Sequence, residues 1–305
     1  MSRIHKFLKD PYYTIGHYLM NHFPRIMSDR YFIKVLWKDS MGYKLDLSNP
    51  RTFNEKLQWL KLNARNPLYS TLVDKYAAKQ WVADKIGEQY VIPNLAVYDS
   101  VDQIDLDSLP DRFVLKCNHD CGSIVICKDK SSFDLEAAKK KLDAALKQNY
   151  YWNSREWPYK NVKPRIIAEP YLEDESGELR DYKVYAFNGK CDYLMLCFDR
   201  SKGETKFIYF DRNWVIQKEL SKHGLKYGDT IHVERPYNLD LIFEYAERLS
   251  SGFPFVRVDF YETNRQLFFG EMTFYPSAGF DAKRTKELEK YLNEQMIVDL
   301  NRHSY

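Results

Sequence analysis

Four residues near the C-terminal end have the types and spacing to handle a charged ligand. Arg257 and Asp259 lie in Val256-Arg-Val-Asp-Phe260, and Glu271 and Thr273 in Gly270-Glu-Met-Thr-Phe274. Both runs alternate as strands do, with a polar break at Glu262–Gln266. If 259 pairs with 271, then 257 pairs with 273. Side chains two apart on a strand share a face. Arg257, Asp259, Glu271 and Thr273 then share one face, and Val256, Val258, Phe260, Met272 and Phe274 the other. Two carboxylates at cross-strand distance repel unless something positive sits between them. A hard divalent cation is the economical candidate.

The rest of the chain has to position that hairpin. Its 305 residues allow one large or two to three small lobes, and 24 Tyr and 18 Phe supply a substantial core. Net charge is only +3, and the one basic run, Lys139–Lys141, continues a helical pattern as a solvated face. Nucleic acid is therefore not an expected partner. The five cysteines are odd in number and sit mostly in strand-like surroundings, which suits a reducing compartment. Cys117-Asn-His119-Asp-Cys121 matches no common zinc spacing. Residues 1–10 are charged with no apolar leader core after them, and no 18-residue apolar run exists. The expected location is cytoplasmic, at most at the inner face of a membrane.

Residues 1–50 read as short helices broken at Pro11 and Pro24, rich in aromatics and carrying eight Lys/Arg against four Asp/Glu over 1–47. A peripheral contact with an anionic membrane is one reading. A helical cap whose aromatic stripe packs on the body is the other, and the favoured one. Thr52 and Glu55 have capping-box spacing ahead of the stripe Phe53, Leu57, Leu60. A helix follows over Asp74–Lys85, an extended segment over Val91–Tyr98, and a strand over Arg112–Cys117. The polar loop Asn118–Ser123 leads into a strand at Ile124–Cys127. A helix spans Phe133–Gln148, and 149–163 reads as an aromatic surface loop. Strands follow at Arg165–Leu172 and Asp181–Phe187. Asn188-Gly189 is a type I′ turn signal, and the sheet continues through 190–197, 206–210 and 214–217. Helices are expected at Leu239–Ser251 and Lys283–Leu300.

The polar positions fall in a set order. A helix opens with Asp74-Lys75, a strand ends in Lys116, and another runs into Glu169-Pro-Tyr-Leu172. Asp181-Tyr-Lys183 and then Arg257, Asp259, Glu271 and Thr273 complete it. This order resembles the ATP-grasp superfamily over roughly residues 70–300. Thr52-Phe-Asn-Glu-Lys-Leu-Gln-Trp59, Asp181-Tyr-Lys183, Phe187-Asn-Gly-Lys190 and Phe274-Tyr-Pro-Ser277 resemble its TupA-like branch, associated with teichuronopeptide, capsule and other surface-polysaccharide biosynthesis.

The resemblance implies an α+β fold in which two lobes clasp ATP. Its implied divisions are an N-terminal helical segment at 1–50, a pre-grasp region at 51–110, a small lobe at 111–165 and a large lobe at 166–305. Lys75 and Lys116 would hold the α- and β-phosphates, under a loop containing His119, Gly122 and Ser123. Glu169 would start the hinge. Pro170, Tyr171 and Leu172 would read adenine, and Glu173 or Asp174 would take the ribose. Lys183 and Arg257 would face the transferred phosphoryl group. Asp259, Glu271 and Thr273 would bind Mg²⁺, although many members carry Glu-x-Asn where this chain has Glu271-Met-Thr273. Acceptor contacts are expected from Tyr275, Ser277, Lys283 and Arg284. Arg155 and Lys163 are further cations for a carboxylate. His119 is one choice of base for the attacking amine. Asp281 is the other, although it reads more simply as an N-cap.

The implied activity is an ATP-dependent ligase joining an amine to a carboxylate, such as a uronic acid or a lipid-linked glycan precursor, through an acylphosphate. Other readings are a glycosyltransferase, for which Asp105-Leu-Asp107 is a formal Asp-x-Asp, a phosphoryl transferase, and a non-catalytic ATP-binding module.

Overall fold

The computed structural model describes residues 10–174, 177–200 and 203–300. Residues 1–9 of the N-terminal segment, Glu175, Ser176, 201–202 and 301–305 lie outside the described residues.

Pro11 opens helix α1 (Pro11–His22) at the one turn where a missing N–H costs nothing. Helix α2 (Asp29–Met41) is capped by Ser28 and closed by Gly42 at φ 82°. It buries Phe32, Ile33, Val35 and Trp37. The expected packing on the body therefore belongs to α2. Helix α1 buries only Gly16 and leaves Tyr12, Ile15 and Tyr18 exposed.

Helix α3 (Phe53–Asn63) starts with the expected capping box. The Thr52 hydroxyl accepts from the Glu55 N–H, and the Glu55 carboxylate accepts from the Thr52 N–H. Phe53, Leu57 and Leu60 are buried. After α4 (Leu68–Val73), the helix expected from Asp74 begins only at Ala78, as α5 (Ala78–Ile86). The Asp74 carboxylate accepts the N–H groups of Tyr76 and Ala77, which holds the preceding residues in a turn.

A four-stranded antiparallel sheet has the order β1-β4-β2-β3, with β1 Ala96–Tyr98, β2 Phe113–Cys117, β3 Val125–Cys127 and β4 Ile166–Pro170. Helix α6 (Leu135–Leu146) packs Leu142 and Ala145 against Phe113, Leu115 and Ile166. Strand β4, grouped from sequence with 166–305, is thus an interior strand of this small sheet. Likewise 51–110 is shared: β1 joins the small sheet, while α3, α4 and α5 pack into the core of the large one. The 149–163 segment is not a surface loop. With α7 (Tyr151–Ser154) at its start, it buries Tyr151, Ser154, Arg155, Glu156 and Pro158.

The second sheet has the antiparallel order β7-β6-β5-β8-β9, with β5 Asp181–Ala186, β6 Tyr193–Phe198, β7 Lys206–Asp211, β8 Val256–Thr263 and β9 Gln266–Thr273. Asn188-Gly189 turns with φ of 49° and 81°, as its sequence demands, and Asn264-Arg265 turns β8 into β9 with 51° and 61°. Residues 214–217 contribute a single bridge, Phe210 to Ile216, instead of a strand.

Helix α8 (Lys222–Tyr227) borders β7, and α9 (Leu239–Ser250) lays Leu239, Ile242, Phe243, Ala246 and Leu249 on the inner face of the sheet. The closing helix α10 is shorter than expected, Lys286–Gln295, and its cap is Thr285, which accepts from the Leu288 N–H. Asp281 is therefore not the N-cap. Among the described residues no helix is long and apolar enough to cross a membrane.

Candidate active site

The hairpin has the register supposed for it from sequence. Asp259 pairs with Glu271 and Arg257 with Thr273, while Val256, Val258, Phe260, Met272 and Phe274 are all buried in the core. Strand β5 extends both pairs into transverse rows. Lys183 stands beside Asp259 and Glu271, and Tyr185 beside Arg257 and Thr273. A bulge after Asp259 pairs Phe260 with Phe269 and leaves Gly270 extra. A Cβ on Gly270 would come within 2.9 Å of the Tyr261 ring, so glycine is what lets that ring lie against β9.

The positive charge between the two carboxylates is Arg257. Its Nε and Nη2 donate to Asp259 at 2.7 Å each, and Nη2 also donates to Glu271 Oε1 at 3.1 Å and Thr273 Oγ1 at 3.0 Å. Lys183 Nζ lies 2.5 Å from Asp259 and 2.6 Å from Asp181, and Arg200 also binds Asp181 at 2.7 Å. Burial pushes the Asp259 carboxyl above the ordinary range, against the pull of Arg257 and Lys183. Burial opposes ionisation of Glu271 as well. There Lys75, Arg257, Lys183 and Lys116 outweigh it and hold the pKa at about 2.

Across the cleft, Glu169 is gripped by two lysines at 2.6 Å each, Lys116 from β2 and Lys79 from α5. Burial raises its carboxyl, and Lys116 with Lys79 brings it below the ordinary value. Lys79 has no role in the sequence reading. Its one signal is its position four residues after Lys75, one helical turn on. Lys75, between α4 and α5, bridges the loop after β2 and the hairpin. Its Nζ donates to the Asp120 carbonyl at 2.5 Å and lies 3.8 Å from Glu271, while its N–H donates to the Asn118 carbonyl.

The loop after β2 carries Gly122 at φ 117° in open space. Ser123 locks the loop base, its Oγ accepting from the Cys117 N–H and donating to Asp120. Exposed Cys121 stands at the tip within the field of Glu271 and Lys75. His119 does not face the cleft. It is 2% exposed and its Nε2 sits 3.3 and 3.2 Å from the carbonyls of Ala145 and Gln148 at the end of α6, which removes it as a phosphate ligand or base.

At the hinge, Tyr171 lies under the Arg112 guanidinium, and Arg112 pairs with Glu173 at 2.8 Å. The Glu173 carbonyl accepts from Thr263, and Asp174 pairs with Arg180 at 2.8 Å. Pro170 lines an open cleft of about 880 Å³ together with Lys79, Ile92, Asn94 and Phe268. Leu172 is half-buried.

A second cavity, about 440 Å³, opens at the other end of the rows. Lys183, Tyr185, Met195, Phe207 and Tyr209 floor it. Lys222 and His223 form one wall, and Arg257, Ser277, Asp281, Lys283 and Arg284 line the other side. Ser277, Lys283 and Arg284, expected from sequence at the acceptor, line this cavity together with Asp281. Tyr275 is instead buried in the core at 3% exposure. Arg155 is fully buried, donating to the Pro24 carbonyl beneath the N-terminal helices and stacked over Phe32, and Lys163 pairs with Asp99 at 2.9 Å. Neither reaches the cavity. In Asp105-Leu-Asp107 the first carboxylate accepts the Asp107 N–H at 3.0 Å in a local turn.

The donor set suits Mg²⁺. That ion is held by one or two carboxylates plus substrate phosphates and does not need a complete protein cage. Asp259 and Glu271 supply the carboxylates, and Thr273 a neutral hydroxyl between Arg257 and Glu271. Among the described residues no group of three or more His, Cys, Asp or Glu is arranged to hold a metal alone.

Two α+β lobes facing one another, with Lys116 and the glycine loop on the small side and a carboxylate hairpin on the large side, define the ATP-grasp fold. The family profile described as TupA-like ATPgrasp matches residues 55–297. The chain belongs to that family. That places it in the ATP-grasp class of ATP-dependent ligases. No curated protein matches by sequence. Similar solved structures include D-alanine–D-alanine ligase from Helicobacter pylori, 14% identical over 80% of this chain and 69% of that one, with a TM-score of 0.43. Another is the ATP-grasp ligase PsnB bound to a precursor variant, Mg and ADP, 11% identical over 80% of this chain and 66% of that one, with a TM-score of 0.41.

Proposed function

We propose that the chain is a carboxylate–amine ligase that activates the carboxylate as an acylphosphate, acting on a uronic acid in surface-polysaccharide biosynthesis. The observation that carries this is the continuity of the Lys183–Asp259–Glu271 row with the second cavity through Lys183 and Arg257. A γ-phosphoryl group held at the row would meet a carboxylate held in the cavity.

Lys75 and Lys116 have short internal contacts that phosphate oxygens can replace, and Lys79 keeps Glu169 neutralised when Lys116 turns away. The hinge from Glu169 to Asp174 takes the nucleoside end. Bound Mg²⁺ would be held by Asp259 and Glu271 and would offset charge on the phosphates. Arg257, with its five fixed donors, is suited to the charge that develops on the acceptor carbonyl oxygen. A carboxylate oxygen attacks the γ-phosphorus and ADP leaves; the amine then attacks the acyl carbon and phosphate leaves. Neither step requires a Ser or Cys nucleophile, so positioning and charge neutralisation carry the catalysis.

The cationic rim of the cavity supports an anionic acceptor. Lys222 and Lys283 offer cations to its carboxylate, above a floor in which Tyr185 and Tyr209 are almost wholly buried. The test is purified protein with ATP, Mg²⁺, glucuronate or galacturonate, and each proteinogenic amino acid in turn. ADP and phosphate released only when both acceptors are present is the expected result. A phosphorylated sugar formed without amine would make the chain a phosphoryl transferase.

A further inference from the structure

Helix α3 is buried on two faces. One is the apolar stripe in the core. The other is polar: Asn54, Gln58 and Lys61, spaced i, i+4, i+7, are 3%, 0% and 0% exposed. Burying such groups is costly unless each finds a partner. All three reach backbone oxygens of one short segment. Asn54 donates to the Asp281 carbonyl at 2.9 Å. Gln58 donates to Ala278 at 3.0 Å and Gly279 at 2.8 Å, and Lys61 donates to Ala278 at 2.8 Å. Lys61 also binds the Ser154 carbonyl and the Gln58 side-chain oxygen, tying in the buried 149–163 segment.

The segment they hold cannot keep its shape unaided. Ser277, Ala278 and Gly279 are three successive left-handed residues, with φ of 52°, 52° and 70°. Two of them bear side chains, for which that conformation is strained. A Cβ on Gly279 would lie 2.5 Å from the Gln58 amide nitrogen, so the close approach also dictates glycine. This segment forms the wall of the second cavity next to Arg257. Buried ionic and polar groups are commonly no more stabilising than apolar replacements, and their use here is to fix one geometry.

We propose that Asn54, Gln58 and Lys61 are positioning residues: they clamp residues 277–281 in a left-handed coil and so set the acceptor end of the active site without touching substrate. Burial lowers the Lys61 ammonium to about 8 against the pull of Glu156, which agrees with a dry clamp. The acceptor part of this inference rests on the ligase reading; the clamp itself does not.

Two near-isosteric variants test it. Gln58→Glu loses both donors to the loop yet keeps an oxygen beside Lys61. Asn54→Asp loses its donor to Asp281 and keeps the oxygen that accepts from Arg284 at 2.6 Å. Amide hydrogen exchange over 276–285 should speed up by about tenfold in Gln58→Glu, with β8 and β9 unchanged. With ATP and the uronic acid and amine pair turned over by the wild type, KM for the acceptors should rise by about tenfold while KM for ATP stays within about twofold. Unchanged exchange over 276–285 in both variants overturns the clamp. Faster exchange with acceptor and ATP constants rising together overturns its acceptor role. A wild type that turns over no such pair defeats the ligase reading alone, and exchange still decides the clamp.

Discussion

Glu169 and Asp259 are both buried carboxylates gripped by two cations, one in each sheet, and they differ in what the grip allows. Glu169 has one lysine on each oxygen, from separate elements, α5 and β2. Either lysine can turn toward an incoming anion and leave the other in place. Asp259 has a two-pronged guanidinium from its own strand and a lysine from the next strand that is itself shared with Asp181. Its surroundings hold as many carboxylates as cations close by, whereas the hinge side holds a surplus of cations. In the proposed reading the Glu169 side attracts phosphate, and the large sheet accepts a metal only together with that phosphate.

Removing each carboxylate tests the comparison, and the largest effect is expected at Asp259. Asp259→Asn removes the carboxylate that Arg257 and Lys183 share, leaving Arg257 only Glu271 at 3.1 Å and Lys183 only Asp181 at 2.6 Å, and turnover should fall by about a thousandfold or more. Glu169→Gln should cost about tenfold, mostly in KM for ATP, because Lys116 and Lys79 then repel near the phosphate site. Steady-state kinetics alongside thermal unfolding of both variants checks this, and equal losses would erase the distinction.

A smaller effect concerns acid stability. Glu271 binds its proton less tightly in the folded chain, with a pKa of about 2 against its ordinary 4.5, so its contribution is present above 4.5 and is lost as pH falls toward 2. Glu271→Gln should therefore lose stability less steeply than wild type across that window. Urea unfolding at a series of pH values measures it, and identical slopes would mean that the cations around Glu271 do not act on it. The smallest effect is at Thr273, whose hydroxyl meets Arg257 and Glu271. Thr273→Asn should keep turnover within about threefold, since an amide offers oxygen and donor together. A collapse in rate would assign the threonine a role of its own.

Much of the site could be read from local pattern. Alternation restricted the pairing of β8 with β9, since a slip of one residue would have turned Val258 and Phe260 outward and Asp259 into the core, while the bulge after Asp259 and the Asn264-Arg265 turn set the register itself. Asn188-Gly189 and Thr52-to-Glu55 did what their chemistry requires. The errors fell where a residue's neighbour lies far along the chain. His119 looked like part of a phosphate loop because its local surroundings are polar, but its partners are 26 and 29 residues on. Arg155 looked like a surface cation, and its partner is Pro24.

The sequence alone therefore determined which residues share a strand face, where the turns fall, and that two carboxylates must meet around a positive charge. Only the tertiary structure decided that the charge between them is Arg257, that Lys79 backs up Lys116, and that the polar stripe of α3 holds the cavity wall. The physical reason is that side-chain period is a property of the local backbone, whereas the partner a buried polar group finds depends on which distant element folding brings against it.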